Sequence, residues 1–343
     1  METKILSTDE KDINEAGKII RNGGLVAFPT ETVYGLGASA LDAFAAKKIY
    51  AAKGRPSDNP LIVHICDKNQ IEKIAAEIPT SAKMVIDKFM PGPVTVILKK
   101  KPCIPDDVTA GLDTAAIRFP SHETAQRLIR AAGVPIAAPS ANLSGKPSPT
   151  KAKHVINDMT GRIDAVIDGG SCAVGVESTI IDFTGEKPVI LRPGGVTYED
   201  LKNAGIETEI DKNILRSIAA DEVPKCPGMK YKHYAPNAEV TVVEGEITAV
   251  RRKIKELLKG VNGKIAGVMT MDGADYDNAV ILSVGGGNKE YAQNLFAALR
   301  EFDELGAEVV FAEFCDDGGY GLAVKNRLYK AAAQRVIHVG GNE

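Results

Sequence analysis

The chain has 343 residues, 44% hydrophobic and 25% charged, with a formal net charge of −3. That is a length for two domains with ample core, and it lacks the global positive field that draws in nucleic acid or anionic membrane. No apolar run approaches the ~20 residues of a membrane span, no signal-peptide core opens the chain, and five cysteines without a C-x-x-C spacing indicate reduced thiols in a cytoplasmic protein rather than a disulfide framework or a zinc site.

Residues 9 to 22 carry Ile13, Ala16, Ile19 and Ile20 at helical spacing, stopped by Asn22-Gly23-Gly24. Leu25-Val26-Ala27-Phe28 predicts a strand that breaks at Pro29 into a polar turn, Thr30-Glu31-Thr32 followed by Tyr34-Gly35-Leu36-Gly37. Residues 40 to 52 predict a helix ended by Gly54 and Pro56. Leu61 to Ile65 is a short buried strand that delivers His64. Helices around 69 to 77 and 81 to 89 lead to a tight turn, Pro91-Gly92-Pro93, and a β-branched strand, 94 to 98. Lys99-Lys100-Lys101 reads as a solvated strand end, and 103 to 114 as a loop. Ala115 to Pro120 is a strand with Arg118 in its middle, a cation that needs a partner or a ligand among apolar neighbours. A helix over 122 to 132, a strand over 134 to 138 and the small-residue stretch Pro139-Ser140-Ala141-Asn142-Leu143-Ser144-Gly145 follow. After a helix at 151 to 159 come a strand at 166, the polar turn Gly175-Val176-Glu177-Ser178 leading into a strand, and Val189-Ile190-Leu191 running into Arg192.

Strands joined by both helices and short turns fit a mixed sheet, so residues 1–210 are expected to form one α/β domain with an open twisted mixed sheet. Residues 211–238 form a linker. Its stretch 221–237 has three prolines and no hydrophobic periodicity, yet it holds Lys230, Tyr231, Lys232, His233 and Tyr234. It is either a solvated hinge or a segment lying over a ligand. Residues 239–343 alternate strand and helix regularly, with a long amphipathic helix at 289 to 305. They predict a smaller, Rossmann-like parallel α/β domain.

Three constellations offer chemistry. Lys53-x-Arg55 can pair with helix C-terminal carbonyls or hold phosphates. Ser140-x-Asn142 can cap a helix or bind a ligand. Glu177-Ser178-Thr179 offers hydroxyls, with Arg192 downstream as a fork or a surface turn residue. No G-x-S-x-G, no G-x-x-x-x-G-K-[ST] and no G-x-G-x-x-G is present, which disfavours serine-hydrolase, P-loop and dinucleotide-binding readings.

In this order, Pro29-Thr30-Glu31-Thr32-Val33-Tyr34-Gly35-Leu36, Lys53-Gly54-Arg55-Pro56, Pro91-Gly92-Pro93-Val94-Thr95, Arg118-Phe119-Pro120, Pro139-Ser140-Ala141-Asn142 and Ser178-Thr179-Ile180-Ile181-Asp182 resemble the YrdC/TsaC family of threonylcarbamoyl-AMP synthases. The linker from Pro227 to Pro236 and the C-terminal domain resemble its two-domain subclass, with Cys226 where a serine is expected. The resemblance implies synthesis of threonylcarbamoyl-AMP from L-threonine, bicarbonate or CO2 and ATP, with Mg²⁺ held mainly by phosphates and water. A separate transferase acting on tRNA would then consume the product. It implies Lys53 and Arg55 as catalytic cations, and Thr32, His64, Arg118, Ala138 and Ser178 for L-threonine. Lys53, Arg55, Asn59, Thr114, Ser140, Asn142, Ser148, Arg192 and Tyr234 are implied for ATP. The alternative is a non-catalytic double-stranded RNA-binding module that uses Lys53, Arg55 and Lys99 to Lys101 on phosphates.

Overall fold

The computed structural model describes residues 2–215, 224–227, 233–271 and 274–340. The chain divides into two compact units, residues 1–144 with 148–230, and residues 145–147 with 231–343. Of the linker residues, Lys230, Tyr231 and Lys232 lie outside the described set.

The first unit runs β1 (Lys4–Leu6), α1 (Glu10–Arg21), β2 (Val26–Phe28), β3 (Gly35–Ser39), α2 (Ala43–Lys53), β4 (Ile62–His64), α3 (Gln70–Ile74), α4 (Thr80–Phe89), β5 (Val94–Lys99), α5 (Asp106–Thr109), β6 (Thr114–Arg118), α6 (Glu123–Ala132), β7 (Ile136–Ala138), α7 (Ala152–Met159), β8 (Ala165–Ile167), β9 (Thr179–Asp182), β10 (Val189–Arg192), α8 (Tyr198–Asn203) and β11 (Glu209–Ile210). Its strands form one sheet in the order β1-β8-β2-β3-β7-β4-β6-β5-β9-β10-β11. β4 pairs β6 in parallel and β7 antiparallel, and β5 pairs β6 antiparallel and β9 in parallel, so the sheet is mixed as expected.

Alternation along each strand sorts the side chains onto two faces. Val63, Val96, Ile117, Ala137 and Ile181 point into the main core with Ala45, Ala46 and Ile49 of α2, Val85 and Ile86 of α4, and Val155 of α7. On the opposite face, Ile13, Ala16 and Ile20 of α1 and Leu128 and Ile129 of α6 pack on Val26, Phe28, Ile136 and Ala138. Beyond those two helices, among the described residues, the same face carries a small cluster, Ile62, Ile97, Ala116, Ile180, Leu191 and Cys226. Here the sheet keeps its polar side chains.

Strand β3 falls on the stretch after the polar turn, where no strand was expected. It pairs antiparallel with β2 and β7. Its glycines are there for closeness: a Cβ on Gly37 would stand 2.8 Å from Ile136 Cγ2 and 2.9 Å from Phe28 Cε1. Three further elements, β1, α8 and β11, fall where no element was expected, and α5 falls inside the expected loop at 103 to 114.

The second unit runs β12 (Glu239–Gly245), α9 (Ile247–Lys259), β13 (Ala266–Thr270), β14 (Val280–Ser283), α10 (Asn288–Glu304), β15 (Val309–Phe314), α11 (Gly321–Ala331) and β16 (Val336–Val339). The strands lie in the order β14-β13-β15-β12-β16, and every pairing is parallel. Leu295, Phe296, Leu299 and Phe302 of α10 are buried, as the amphipathic pattern requires. Among the described residues no helix is long and apolar enough to cross a membrane.

Candidate active site

The part of that sheet face beyond α1 and α6 gathers most of the singled-out residues, and strand register explains how. His64 stands opposite Arg118 on β6, and Arg118 opposite Thr95 on β5. Thr95 faces Ile180 on β9, which faces Arg192 on β10. Residues in register share a face, so His64, Arg118, Thr95 and Arg192 stand in one row. Thr114 sits on the same face of β6, four residues from Arg118, or about 13 Å at roughly 3.3 Å per residue. Ile62 opposes Ala116, which sets Pro60 and its neighbour Asn59 beside Thr114. β7 runs the other way, Ala138 opposing Ile62, so Ser140 is carried towards the Asn59 end. The face thus has an Arg118 pole and an Asn59 pole.

At the first pole Arg118 is 4% exposed. One of its terminal nitrogens, Nη2, donates to Glu31 Oε1 at 2.8 Å and Thr32 Oγ1 at 2.9 Å, with Thr30 Oγ1 at 3.4 Å. The expected cation within a strand therefore has a partner. Its Nε is buried without one among the described residues, and so is Glu31 Oε2. Burial, aided by the nearby Arg118 charge, pulls the His64 pKa down to about 3. The ring is neutral at pH 7, with Nδ1 3.0 Å from the Ile62 carbonyl and its edge to the Phe28 ring. Ser178 Oγ lies 2.8 Å from Thr95 Oγ1. Arg192 donates to the Ser178 carbonyl at 3.0 Å and to Ser178 Oγ at 3.2 Å, and its Nη1 reaches the Pro227 carbonyl at 3.5 Å. Arg192 is therefore buried against Ser178 and is not a surface turn residue. The turn carrying Ser178 fits because residue 194 is glycine: a Cβ there would meet Ser178 C and Thr179 N at 2.5 Å.

At the second pole, helix α2 is started by Asp42, whose side chain accepts from the Phe44 and Ala45 amides, and ended by Gly54 in the left-handed conformation. That ending delivers Lys53 and Arg55. Lys53 is 3% exposed, and Nζ donates to the carbonyls of Ser140 at 2.5 Å and Asn142 at 2.6 Å. Ser140 Oγ donates to Asn142 Oδ1 at 2.5 Å, and the Ser144 amide returns to the Lys53 carbonyl at 2.9 Å. Both motifs, separated by more than eighty residues, are one construction. Arg55 reaches the carbonyls of Asn59 and Pro60 at 3.3 Å each and lines a cleft of about 620 Å³ with Tyr50, Pro56 and Ser57. The Asn59 side chain is fully buried, and neither amide atom has a hydrogen-bond partner among the described residues. Ser148 Oγ donates to Glu177 Oε1 at 2.5 Å.

Tyr234 belongs to the second unit, where its ring stacks on Phe296 at 5.1 Å and the Arg327 guanidinium lies 5.8 Å from its centre. Glu31, Thr95 and Glu177 were given no role from sequence, although each stood in or beside a stretch that was singled out; for Glu31 the signal was only a carboxylate between two threonines.

A family described as "Telomere recombination", the Sua5/YciO/YrdC domain, matches residues 18–194, and one described as "Threonylcarbamoyl-AMP synthase, C-terminal domain" matches 196–333. The chain is 50% identical over 331 residues to a threonylcarbamoyl-AMP synthase of Pyrococcus abyssi, covering 96% of this chain and 97% of that protein. This chain belongs to the two-domain, Sua5-type branch of the threonylcarbamoyl-AMP synthase family. A Bacillus subtilis protein of the same name is 48% identical, over 98% of this chain and 97% of its own length. The crystal structure of P. abyssi Sua5 complexed with L-threonine superposes with a TM-score of 0.94 at 50% identity, covering 98% of this chain and all of that one. Family membership extends through both units, in keeping with the resemblance read from the linker and the C-terminal segments.

Proposed function

We propose that the protein condenses L-threonine, bicarbonate or CO2 and ATP into threonylcarbamoyl-AMP and releases pyrophosphate, as the first step of tRNA threonylcarbamoyladenosine modification. One observation carries the reading beyond the family name. A single sheet face bears two poles, and each holds buried polar atoms without partners among the described residues: Arg118 Nε at one, the Asn59 amide at the other. A reaction joining an amino acid to a nucleotide needs two such pockets, one for each substrate.

Arg118 holds the threonine carboxylate. Thr32, Ser178, the neutral imidazole of His64 and the Ala138 carbonyl take the remaining polar atoms. Asn59, Thr114, Ser140, Asn142 and Ser148 hold the nucleotide, and the assignment of Tyr234 to it rests on the sequence resemblance. Lys53 and Arg55 neutralise the triphosphate. Arg192, placed beside Ser178, meets the phosphates from the threonine side. The threonine nitrogen, once carboxylated, presents a carbamate oxygen to the α-phosphorus. That O–P bond forms as the bond to the β-phosphate oxygen breaks, and no enzyme-bound covalent intermediate is needed. Catalysis is positioning plus charge neutralisation.

Among the described residues no group of three or more His, Cys, Asp or Glu is placed to hold a metal ion. The nucleotide pole offers cations, hydroxyls, amides and one carboxylate, Glu177, which accepts from Ser148. Mg²⁺ enters with ATP as part of the substrate, ligated by phosphate and water.

The RNA-binding alternative gains nothing from the relatives, and the basic run argues against it locally. Lys100 Nζ is 2.6 Å from Asp106 Oδ1, and Lys101 Nζ donates to the Glu72 carbonyl at 2.6 Å. These lysines tie the end of β5 to helices α5 and α3. The decisive experiment is product identification by mass spectrometry with threonine, bicarbonate and MgATP, alongside pyrophosphate release. Release that is indifferent to threonine would sink the reading.

A further inference from the structure

Glu31 is the one carboxylate that ion-pairs with Arg118 among the described residues, and the family resemblance gave it no role. It is 8% exposed. Its backbone is fixed, since the Val174 amide donates to the Glu31 carbonyl at 2.8 Å and the Gly175 amide to the Thr32 carbonyl at 3.2 Å. Thr30 Oγ1 donates to the Val33 carbonyl at 2.6 Å and lies 2.9 Å from Thr32 Oγ1, which stiffens the turn from within.

The ion pair is half-used on both sides. Among the described residues, Glu31 Oε1 takes Arg118 Nη2 at 2.8 Å and Oε2 takes nothing. Among the same residues, Arg118 gives Nη2 to Glu31 and Thr32, and Nε goes to nothing. Buried polar atoms are nearly always paired, and charged ones most of all. Here the two orphans have opposite demands, one an anionic acceptor and the other a cationic donor, and they belong to two side chains in contact. A ligand that satisfies both carries a cation and an anion a few ångströms apart. The α-ammonium and α-carboxylate of a free amino acid share one carbon and meet that description.

We propose that Glu31 Oε2 accepts a hydrogen bond from the α-ammonium group of the amino-acid substrate, while Arg118 Nε donates to its α-carboxylate. Glu31 thereby makes a free α-amine a condition of binding. This rests on the functional reading above, in which the amino acid occupies the Arg118 pole. It goes further by naming the group that selects an α-amino acid over a hydroxy acid. Removing the ammonium then leaves a buried carboxylate facing the ligand with no donor, which a pocket built on Arg118 alone would not do.

The test is calorimetric titration of the full chain, without nucleotide, by L-threonine and by (R)-3-hydroxybutanoate. The latter keeps a carboxylate and a β-hydroxyl but has no ammonium. In Glu31→Gln, which keeps the size of the side chain and an acceptor for Nη2, L-threonine is expected to bind roughly 10- to 100-fold more weakly, the loss of one charge-assisted hydrogen bond. 3-Hydroxybutanoate should bind the variant as well as the wild type, or better, since an anionic neighbour has gone. Glu31→Asp, which keeps the charge on a shorter arm, should fall between. Equal weakening of both ligands would mean that Glu31 only holds Arg118 in place and would overturn the proposal. So would unchanged threonine affinity in Glu31→Gln. Thermal unfolding of each variant checks the fold. Pyrophosphate release by the wild type is scored separately, so a failed functional reading is told apart from a failed assignment of Glu31.

Discussion

Lys53→Met separates the tether that Lys53 makes from the catalytic role proposed for it. The substitution keeps the length of the side chain and its burial but removes the ammonium. It deletes the bonds to the carbonyls of Ser140 and Asn142 at 2.5 and 2.6 Å. Hydrogen bonds from a charged group contribute about 1.5–3 kcal/mol each, and the two are not additive. Desolvation of the ammonium, relieved in the variant, offsets part of the loss. A net destabilisation of about 2–4 kcal/mol follows, worth roughly 4–16 °C in Tm for a unit of this size. Nucleotide-free protein followed by thermal unfolding reads the tether alone. Threonine-dependent pyrophosphate release, measured well below the variant's Tm, reads the catalytic cation. Loss of one preorganised donor predicts a fall of about 10²–10³-fold. An unchanged Tm would refute the tether, and unchanged activity in a destabilised variant would reduce Lys53 to a structural lysine.

Arg55→Ala should separate the other way. Its bonds to Asn59 and Pro60 are long, 3.3 Å each, so pyrophosphate release should fall by at least tenfold while Tm moves by only about 2 °C; full activity removes Arg55 from the site. His64 gives a pH signature. Its folded pKa of about 3 lies below the ordinary 6.5, so the unfolded chain takes up the proton first as pH falls, and the stability contributed by the neutral ring is lost from about pH 6.5 down to about 3. Between pH 7 and 5 the wild type should lose on the order of 2 kcal/mol more than His64→Gln in urea titrations, and parallel curves refute the burial argument. In the second unit, fully buried Glu313 accepts from Tyr276 Oη, Thr270 Oγ1, Arg251 Nε and the Met271 amide at 2.6 to 3.1 Å. Glu313→Gln should cost about 2–4 kcal/mol in unfolding by chemical denaturant without moving the wild-type affinity for threonine.

Much of the fold could be read because burial wrote it into single segments. Val94 to Ile97 is β-branched and buried, and α10 repeats its apolar residues at helical spacing. What escaped depends on partners far away in sequence. Gly35 and Gly37 gave no strand signal, since alone they favour nothing; the strand they form lies so close to the Phe28 ring and Ile136 that it leaves no room for a Cβ at Gly37. β1 has three residues, two of them exposed, and owes its existence to β8, more than 150 residues on. The parallel alternation of the second unit was legible, but its order was not, because nothing local tells β13 to cross to the far side of β15.

The site divides along the same line. Lys53, Arg55, Ser140 and Asn142 were found as two short motifs, while their union through Nζ could not be, because it depends on β7 lying beside β3 and α2 ending at Gly54. A lysine at a helix end has an ordinary use, its own helix's carbonyls. Here it reaches the carbonyls of another loop, which holds Ser140 and Asn142 at a fixed distance from the helix that carries Arg55. Arg118 shows the limit most clearly. The sequence offered a partner or a ligand for a cation inside a strand, and the two were taken as alternatives. The structure makes them complementary, because a guanidinium has several donors. Glu31, 87 residues away, engages Nη2 and fixes the plane of the group, and only then is Nε aimed where a carboxylate can use it. A buried arginine with one terminal nitrogen held in this way is partly preorganised, so a substrate carboxylate has less to order on binding.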